Sequence, residues 1–208
     1  MNLPDFDTTH LLALAAALGW ASGLRLYAVL AITGLAGYAG WVELPAGLTL
    51  LQHPVMLGAS WLMLFVEFFA DKIPGLDTLW DLVHTAIRIP AGAVLGAAVF
   101  GIDNATWAAI AALLGGTLAA TSHVSKATTR AAVNTSPEPF SNIGVSLVED
   151  GMVPLALWLA YTHPLPFFIV LAVVLVTMVA LVWVLAKFLR ELLRRLRGGS
   201  PVALEPRA

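Results

Sequence analysis

The chain has no cysteine, little charge, and no basic residue ahead of its first apolar segment. The missing cysteine removes disulfides, thiolate catalysis and thiolate metal sites. Of 208 residues only 12% are charged, and 59% are hydrophobic. Soluble domains carry about 25% charge, so a water-soluble fold is disfavoured at the outset. Mean hydropathy of +0.85 says the same. No basic, aromatic-interleaved surface is present, which excludes a nucleic-acid partner. The N-terminus, MNLPDFDTTH, is acidic and lacks the basic n-region of a cleavable leader, so the first apolar segment is expected to stay in the membrane. The glycine-rich pieces GLAGYAG and PAGAVLGAAVFG do not lie between a strand and a helix, and read as packing surfaces rather than nucleotide loops. Ser122 and His123 are neighbours in sequence and point to different helix faces. No nucleophile elbow accompanies them, and no catalytic residue is assigned.

What is present is a series of apolar runs. A span needs roughly 20 apolar residues. Candidates run over residues 11–38, 50–69, 106–134, 143–161 and 167–185, with a further one where the apolar stretch 91–100 extends residues 77–88. The expected fold is an all-α polytopic membrane bundle of about six transmembrane segments, with residues 77–88 as one amphipathic cytoplasmic helix. Residues 1–187 form a single transmembrane domain, and residues 188–208 a basic amphipathic helix with a disordered tail. Ser22, Gly23 and Arg25 interrupt the first span, which is either long and tilted or broken into two half-helices. Residues 135–142, TSPEPFSN, read as a loop. Basic residues favour the cytoplasmic side. With six crossings the two termini share that side, together with Lys72, Arg88, Lys126, Arg130 and the cluster Lys187, Arg190, Arg194, Arg195 and Arg197, which suits an anionic lipid surface. Only Arg25 is out of place, well inside the membrane. Ser22–Arg25 against Ser122–Lys126, and Glu67–Pro74 against Glu149–Pro154, are compatible with a 3+3 inverted repeat.

The polar residues are few and grouped. Asp77, Asp81, His84 and Arg88 fall on one helix stripe, and His123, Lys126, Arg130 and Asn134 on another. Glu67, Asp71 and Lys72 precede the first stripe, and Glu149 and Asp150 lie within a span. Charges at this depth are costly and are seldom present without a role. Glu67, Asp71, Asp77 and Asp81 are the candidates for a hard divalent cation, with Glu149, Asp150, His84 and His123 nearby. Arg25, Arg88, Lys126 and Arg130, with Ser122, Thr128, Thr129, Asn134 and Ser136, have the chemistry to hold an anion. The bland alternative is pairing: Asp81 with Arg88, Glu67 or Asp71 with Lys72, and Arg25 with Glu149 or Asp150. His84 and His123 are either carbonyl-bonded helix residues or proton carriers. His10, His53 and His163 have no assigned role. Tryptophans 20, 41, 107 and 183 read as interfacial anchors.

At these residues the sequence resembles a known family. SGLR at residues 22–25, EFxADKIPGxDxxWDxxHTxIRxPAG at residues 67–92 and TSHxxKAxTRxxxNxSPEPxSNxxxSxxED at residues 121–150 look like the motifs of a bacterial membrane family known as domain of unknown function 4126. The resemblance spans residues 10–185 and implies a polytopic bacterial inner-membrane protein, with no activity attached.

The leading functional expectation is a small transporter or channel-like protein for a small anion or polar solute, with proton coupling, using the fifteen residues Arg25, Glu67, Asp71, Lys72, Asp77, Asp81, His84, Arg88, Ser122, His123, Lys126, Arg130, Asn134, Glu149 and Asp150. One alternative is a metal-dependent lipid-phosphate enzyme or lipid carrier. The other is a structural assembly partner in the membrane. The small size and the glycine faces fit a homodimer.

Overall fold

A computed structural model of the chain describes residues 7–101, 104–135 and 140–197. The expected disordered tail and residues 136–139 of the Pro-rich loop, Ser136 among them, lie outside them. The described elements are all helical: α1 (Thr8–Tyr38), a short 3-10 helix (Ala46–Gln52), α2 (Pro54–Ala70), α3 (Leu76–Phe100), α4 (Ala105–Val133), α5 (Phe140–Thr162) and α6 (Pro164–Arg197). Five helices are long and apolar enough to cross a membrane, and a sixth segment is obtained if the 3-10 helix and α2, bent by 71°, count as one. Asp7 caps α1 by accepting the His10 N–H at 2.8 Å, a bond that holds its carboxyl below the usual carboxylate range.

The first segment is broken, and the break sets the architecture. Arg25 has φ −144° and ψ 76°, outside the helical region. Before it, Gly19 packs on Gly115 and Gly23 on Ala119 and Ser122, so residues 8–24 run in the same direction as α4. Ser22 approaches Gly92, and α3 runs antiparallel to α4, with Gly92 beside Ala119 and Gly96 beside Ala111. After the break the chain turns back. Tyr27 reaches His84 while Gly34 packs on Leu51 and Leu57, and Gly47 of the same 3-10 helix packs on Ala98, near the end of α3. A straight α1 would carry Gly34 toward the beginning of α3 instead. α1 is therefore a re-entrant hairpin with its tip at Arg25, about halfway along α3, and both its ends lie at the end of the bundle that holds residues 39–53, 101, 104 and 163.

This corrects two expectations. With α1 turned back at Arg25, the Thr8 end of α1 and the Arg197 end of α6 lie at opposite ends of the bundle rather than at one. Residues 77–88 are not a separate amphipathic helix. They are the first half of α3, which continues through Pro90, as transmembrane helices tolerate when neighbours satisfy the freed carbonyl. Pro154 sits likewise inside α5. α6 also runs without interruption past residue 187 to Arg197.

The molecule is inside out. α3 turns Asp77, Asp81, His84 and Arg88 inward and exposes Leu79, Leu82, Val83, Ile87 and Val94. α2 exposes Leu62, Phe65 and Phe69 beside buried Glu67, and α5 exposes Leu147 and Val148 beside Glu149. Apolar surface at the level of the buried charges is what a hydrocarbon solvent selects. The chain is a multi-pass membrane protein, associated with lipid along these faces. The glycines at 19, 92, 96 and 115 are consumed inside this bundle, where α1, α3 and α4 meet. These four are therefore not available to a homodimer interface.

Candidate functional site

Beneath the hairpin tip, α2, α3, α4 and α5 enclose the polar residues. All fifteen singled out from the sequence gather in this half of the bundle, and eleven of them are at most 4% exposed. The two stripes meet because α3 and α4 are antiparallel. Asn134 donates to Asp77 at 3.0 Å, Lys126 lies 3.4 Å from Asp81, and His123 meets Thr85 at 2.7 Å.

The ion pairs run across helices. Arg25 at the tip contacts Asp71 at 2.8 Å and Asp150 at 2.9 Å, and donates to the Ser146 hydroxyl at 2.7 Å. It thereby ties the tip to α2 and α5. Arg88 bridges Glu67 at 2.6 Å and Asp81 at 2.7 Å. Arg130 donates to Glu149 at 2.9 Å, to the Asp71 carbonyl at 2.9 Å and to the Asn142 side chain. Lys126 contacts Asp71 at 2.6 Å and the Leu24 carbonyl, beside the α1 break, at 3.0 Å. Lys72 pairs with Asp150 at 3.1 Å near the rim, where both side chains keep some exposure. Of the simple pairings expected from sequence, Asp81–Arg88 and Arg25–Asp150 form. Lys72 takes Asp150 instead of Glu67 or Asp71, because α2 ends at Ala70 and Lys72 points toward α5.

The histidines are positioned by neighbours. His84 Nδ1–H donates to the Trp80 carbonyl at 2.8 Å, and Nε2 lies 3.1 Å from the Tyr27 hydroxyl. The ring also stacks on Trp80 with centroids 4.1 Å apart. Thr85 gives its hydroxyl proton to the Asp81 carbonyl at 2.9 Å, so it accepts from His123 Nε2. Ser122 is buried and spent on the Trp20 carbonyl at 2.6 Å, bracing the hairpin against α4.

Several members were missed by the sequence reading: Asn142, Ser146, Tyr27, Thr85 and the Leu24 carbonyl. Asn142 and Ser146 precede Glu149 at helical spacing, a signal that was readable. The carbonyl carries no sequence signal beyond the break itself.

The carboxylates do not converge on a common point of their own. Each faces a cation, and among the described residues no three His, Asp or Glu side chains lie close enough to share a metal ion. The expectation that Glu67, Asp71, Asp77 and Asp81 gather as divalent ligands is not met, because arginine and lysine head groups stand between them. Several buried polar atoms have no hydrogen-bond partner within the protein: Glu67 Oε2, Asp71 Oδ1, Asp81 Oδ2 and the Nε atoms of Arg25, Arg88 and Arg130. Of two surface grooves, one lined by Trp20, Met152, Leu159 and Phe167 and one along α6 at Trp183 and Arg190, neither is lined by a member of the cluster.

No curated protein and no solved structure matches the chain. One family model does, over residues 12–184, which take in the hairpin tip, the cluster and α2 to α5 whole. The chain belongs to this family, described as domain of unknown function (DUF4126).

Proposed function

We propose that the protein is a small membrane transporter whose transport site is the charged cluster beneath the tip of α1. The observation that carries this reading is the broken helix. A discontinuous membrane helix that ends near mid-bilayer against a group of ionisable side chains is the arrangement by which secondary transporters build substrate and ion sites. Stability alone is a poor reason for such a cluster, since replacing buried ion pairs by apolar residues is often neutral or favourable by about 1–4 kcal/mol. Intramembrane ionisable groups are therefore functional by default. The anion version has the least support, because Arg25, Arg88, Lys126 and Arg130 each already hold a carboxylate. A polar solute or a cation, linked to proton movement, fits the geometry better. The lipid-phosphate enzyme loses its main support with the dispersed carboxylates.

The test is reconstitution into liposomes and solid-supported membrane electrophysiology against a panel of alkali cations, amines, amino acids, carboxylic acids and inorganic anions. At least one class should give transient currents absent from protein-free liposomes, and Glu149→Gln should reduce them at least tenfold. Currents no larger than the protein-free control across the panel would end the transport reading. A second reading is a structural membrane component, and the ion pairing of every cation in the cluster favours it. That reading requires a silent panel.

The bacterial inner membrane is the proposed location, with the end of the bundle that carries Lys72, Lys126, Arg130 and the basic end of α6 in the cytoplasm. Lys187, Arg190, Arg194 and Arg195 then face anionic lipid headgroups, while Glu191 pairs within the helix with Arg194 at 2.7 Å. Because the chain has no cysteine, single cysteines report sidedness directly. Thr8→Cys should react with a membrane-impermeant maleimide in intact spheroplasts, and Glu191→Cys only after permeabilisation. Equal protection of both would mean that α1 crosses after all.

A further inference from the structure

The ion pairs of the cluster are joined through one atom of each partner. Arg88 reaches Glu67 Oε1 through Nη2 at 2.6 Å and Asp81 Oδ1 through Nη1 at 2.7 Å. Asp71 meets Arg25 at 2.8 Å and Lys126 at 2.6 Å through Oδ2 alone. Such pairing leaves polar atoms over. Glu67 Oε2, Asp71 Oδ1 and Asp81 Oδ2 have no partner among the protein's own groups, nor do the Nε–H groups of Arg25, Arg88 and Arg130. All six residues are at most 3% exposed. Buried polar groups that the protein itself does not satisfy are as a rule bonded to ordered water.

These six are three donors and three acceptors, and they lie along one chain of contacts. From Arg25 it passes to Asp71, through Lys126 to Asp81, and on through Arg88 to Glu67, with Arg130 branching off at the Asp71 carbonyl. A cation could serve only the carboxylate oxygens, and an anion only the Nε–H groups. Water donates and accepts, and it needs room for little more than itself. The chain of contacts also begins at solvent. Lys72 and Asp150, with side chains 17% and 23% exposed, pair at the rim. Lys72 and Arg25 both donate to the Ser146 hydroxyl, at 3.2 and 2.7 Å, so a single side chain separates Arg25 from the rim. Across the tip the packing is apolar. Ala13, Ala15, Ala16, Ala17 and Ala21 are at most 1% exposed, and buried Ser22 spends its hydroxyl on the Gly19 carbonyl at 2.7 Å.

We propose that a file of bound waters enters between Lys72 and Asp150, passes Arg25, bonds to these six groups and ends at Arg88 and Glu67 against α1. The cluster is then a water-filled half-channel, open to the side of the membrane that holds Lys72 and closed toward the other by the packed first half of α1. Waters bridging the left-over donors and acceptors are nearly as good as direct hydrogen bonds, which is how so many ionised groups are kept together at this depth. The inference goes beyond the transport reading and does not require it. It adds that the cluster is reached from one side.

The probe is deuterium oxide, which has the size of the ligand. Because the chain has no cysteine, a single introduced thiol gives an S–H infrared band of its own. Ser146→Cys and Ser22→Cys are nearly isosteric changes, and both serines are 0% exposed. One lies on the water path and the other across the tip. When the full-length variants, reconstituted in lipid, are transferred to deuterium oxide, the S–H band of Ser146→Cys should convert to S–D at least tenfold faster than that of Ser22→Cys. Equal rates, fast or slow, overturn the half-channel. Wild-type protein carrying isotope-labelled arginine keeps the test open if Ser146→Cys does not fold. In its nuclear magnetic resonance spectrum the Nε–H signals of Arg25, Arg88 and Arg130 should cross-relax directly with water, and absence of that transfer from all three overturns the proposal. Solute currents with a dry Ser146→Cys would sink the water file and spare the transport reading. A wet Ser146→Cys with a silent solute panel would do the reverse.

Discussion

Arg25→Met should cost about 3–5 kcal/mol of folding stability, the usual loss when one member of a buried ion pair is removed and the other is left uncompensated. Arg25 is 0% exposed and its guanidinium ties the hairpin tip to both flanking helices, through Asp71 at the end of α2 and through Ser146 and Asp150 on α5. Methionine fills much of the volume but leaves Asp71 to Lys126 alone and Asp150 to Lys72 at the rim. The loss should be partly recovered by Arg25→Met with Asp71→Asn, since the second change removes the stranded charge. The coupling should fall within the about 0.5–3 kcal/mol typical of residues in one network. Reversible unfolding in mixed micelles, read for the two single variants and the double, measures all three terms. A single-variant loss below about 1 kcal/mol would show that the tip is held by packing and not by charge.

Gly115→Val should be as damaging for a different reason. Gly115 lies where α1, α3 and α4 touch through backbone alone: a Cβ there would come within 3.2 Å of the Gly92 carbonyl carbon and 3.4 Å of Gly96 Cα, and Gly19 closes on it from α1. Backbone cannot rotate aside as a side chain can. Overpacking typically costs about 1–3 kcal/mol, and three helices must part here, so the top of that range or beyond is expected. Size-exclusion profile and unfolding midpoint together report it. Gly116→Ala, one residue along, is the control. Its Cβ would approach nothing closer than the Ala93 methyl at 3.2 Å, and the helix gains about 1 kcal/mol of propensity in exchange for glycine. If the valine variant matches the control, close backbone contact is not what seats the hairpin.

Much of this was readable in the chain. The apolar runs gave six embedded segments, and the spacing of Asp77, Asp81, His84 and Arg88 and of His123, Lys126, Arg130 and Asn134 gave the two faces that meet. Helical period is a local property, so a face can be read without knowing its partner. The shared side of the termini followed from taking α1 as one straight crossing, although the sequence left it either tilted or broken into two half-helices. Ser22, Gly23 and Arg25 marked an interruption, but an interruption in sequence does not say through what angle the chain bends. The isolated amphipathic helix was a misreading of direction: residues 77–88 do have a polar and an apolar face, and in lipid the apolar face is the outer one.

The sequence by itself determined the solvent, the helical class, the polar stripes and the absence of thiol chemistry, because hydropathy and period are set residue by residue. Tertiary structure decided that α1 turns back at Arg25, which cation meets which carboxylate, and that the Leu24 carbonyl joins Asp71, Asp81 and Glu149 around Lys126. Those depend on where five helices stand relative to one another. Ion pairs between residues as far apart as Arg25 and Asp150 have no local code: long side chains can reach several partners, and only packing selects one.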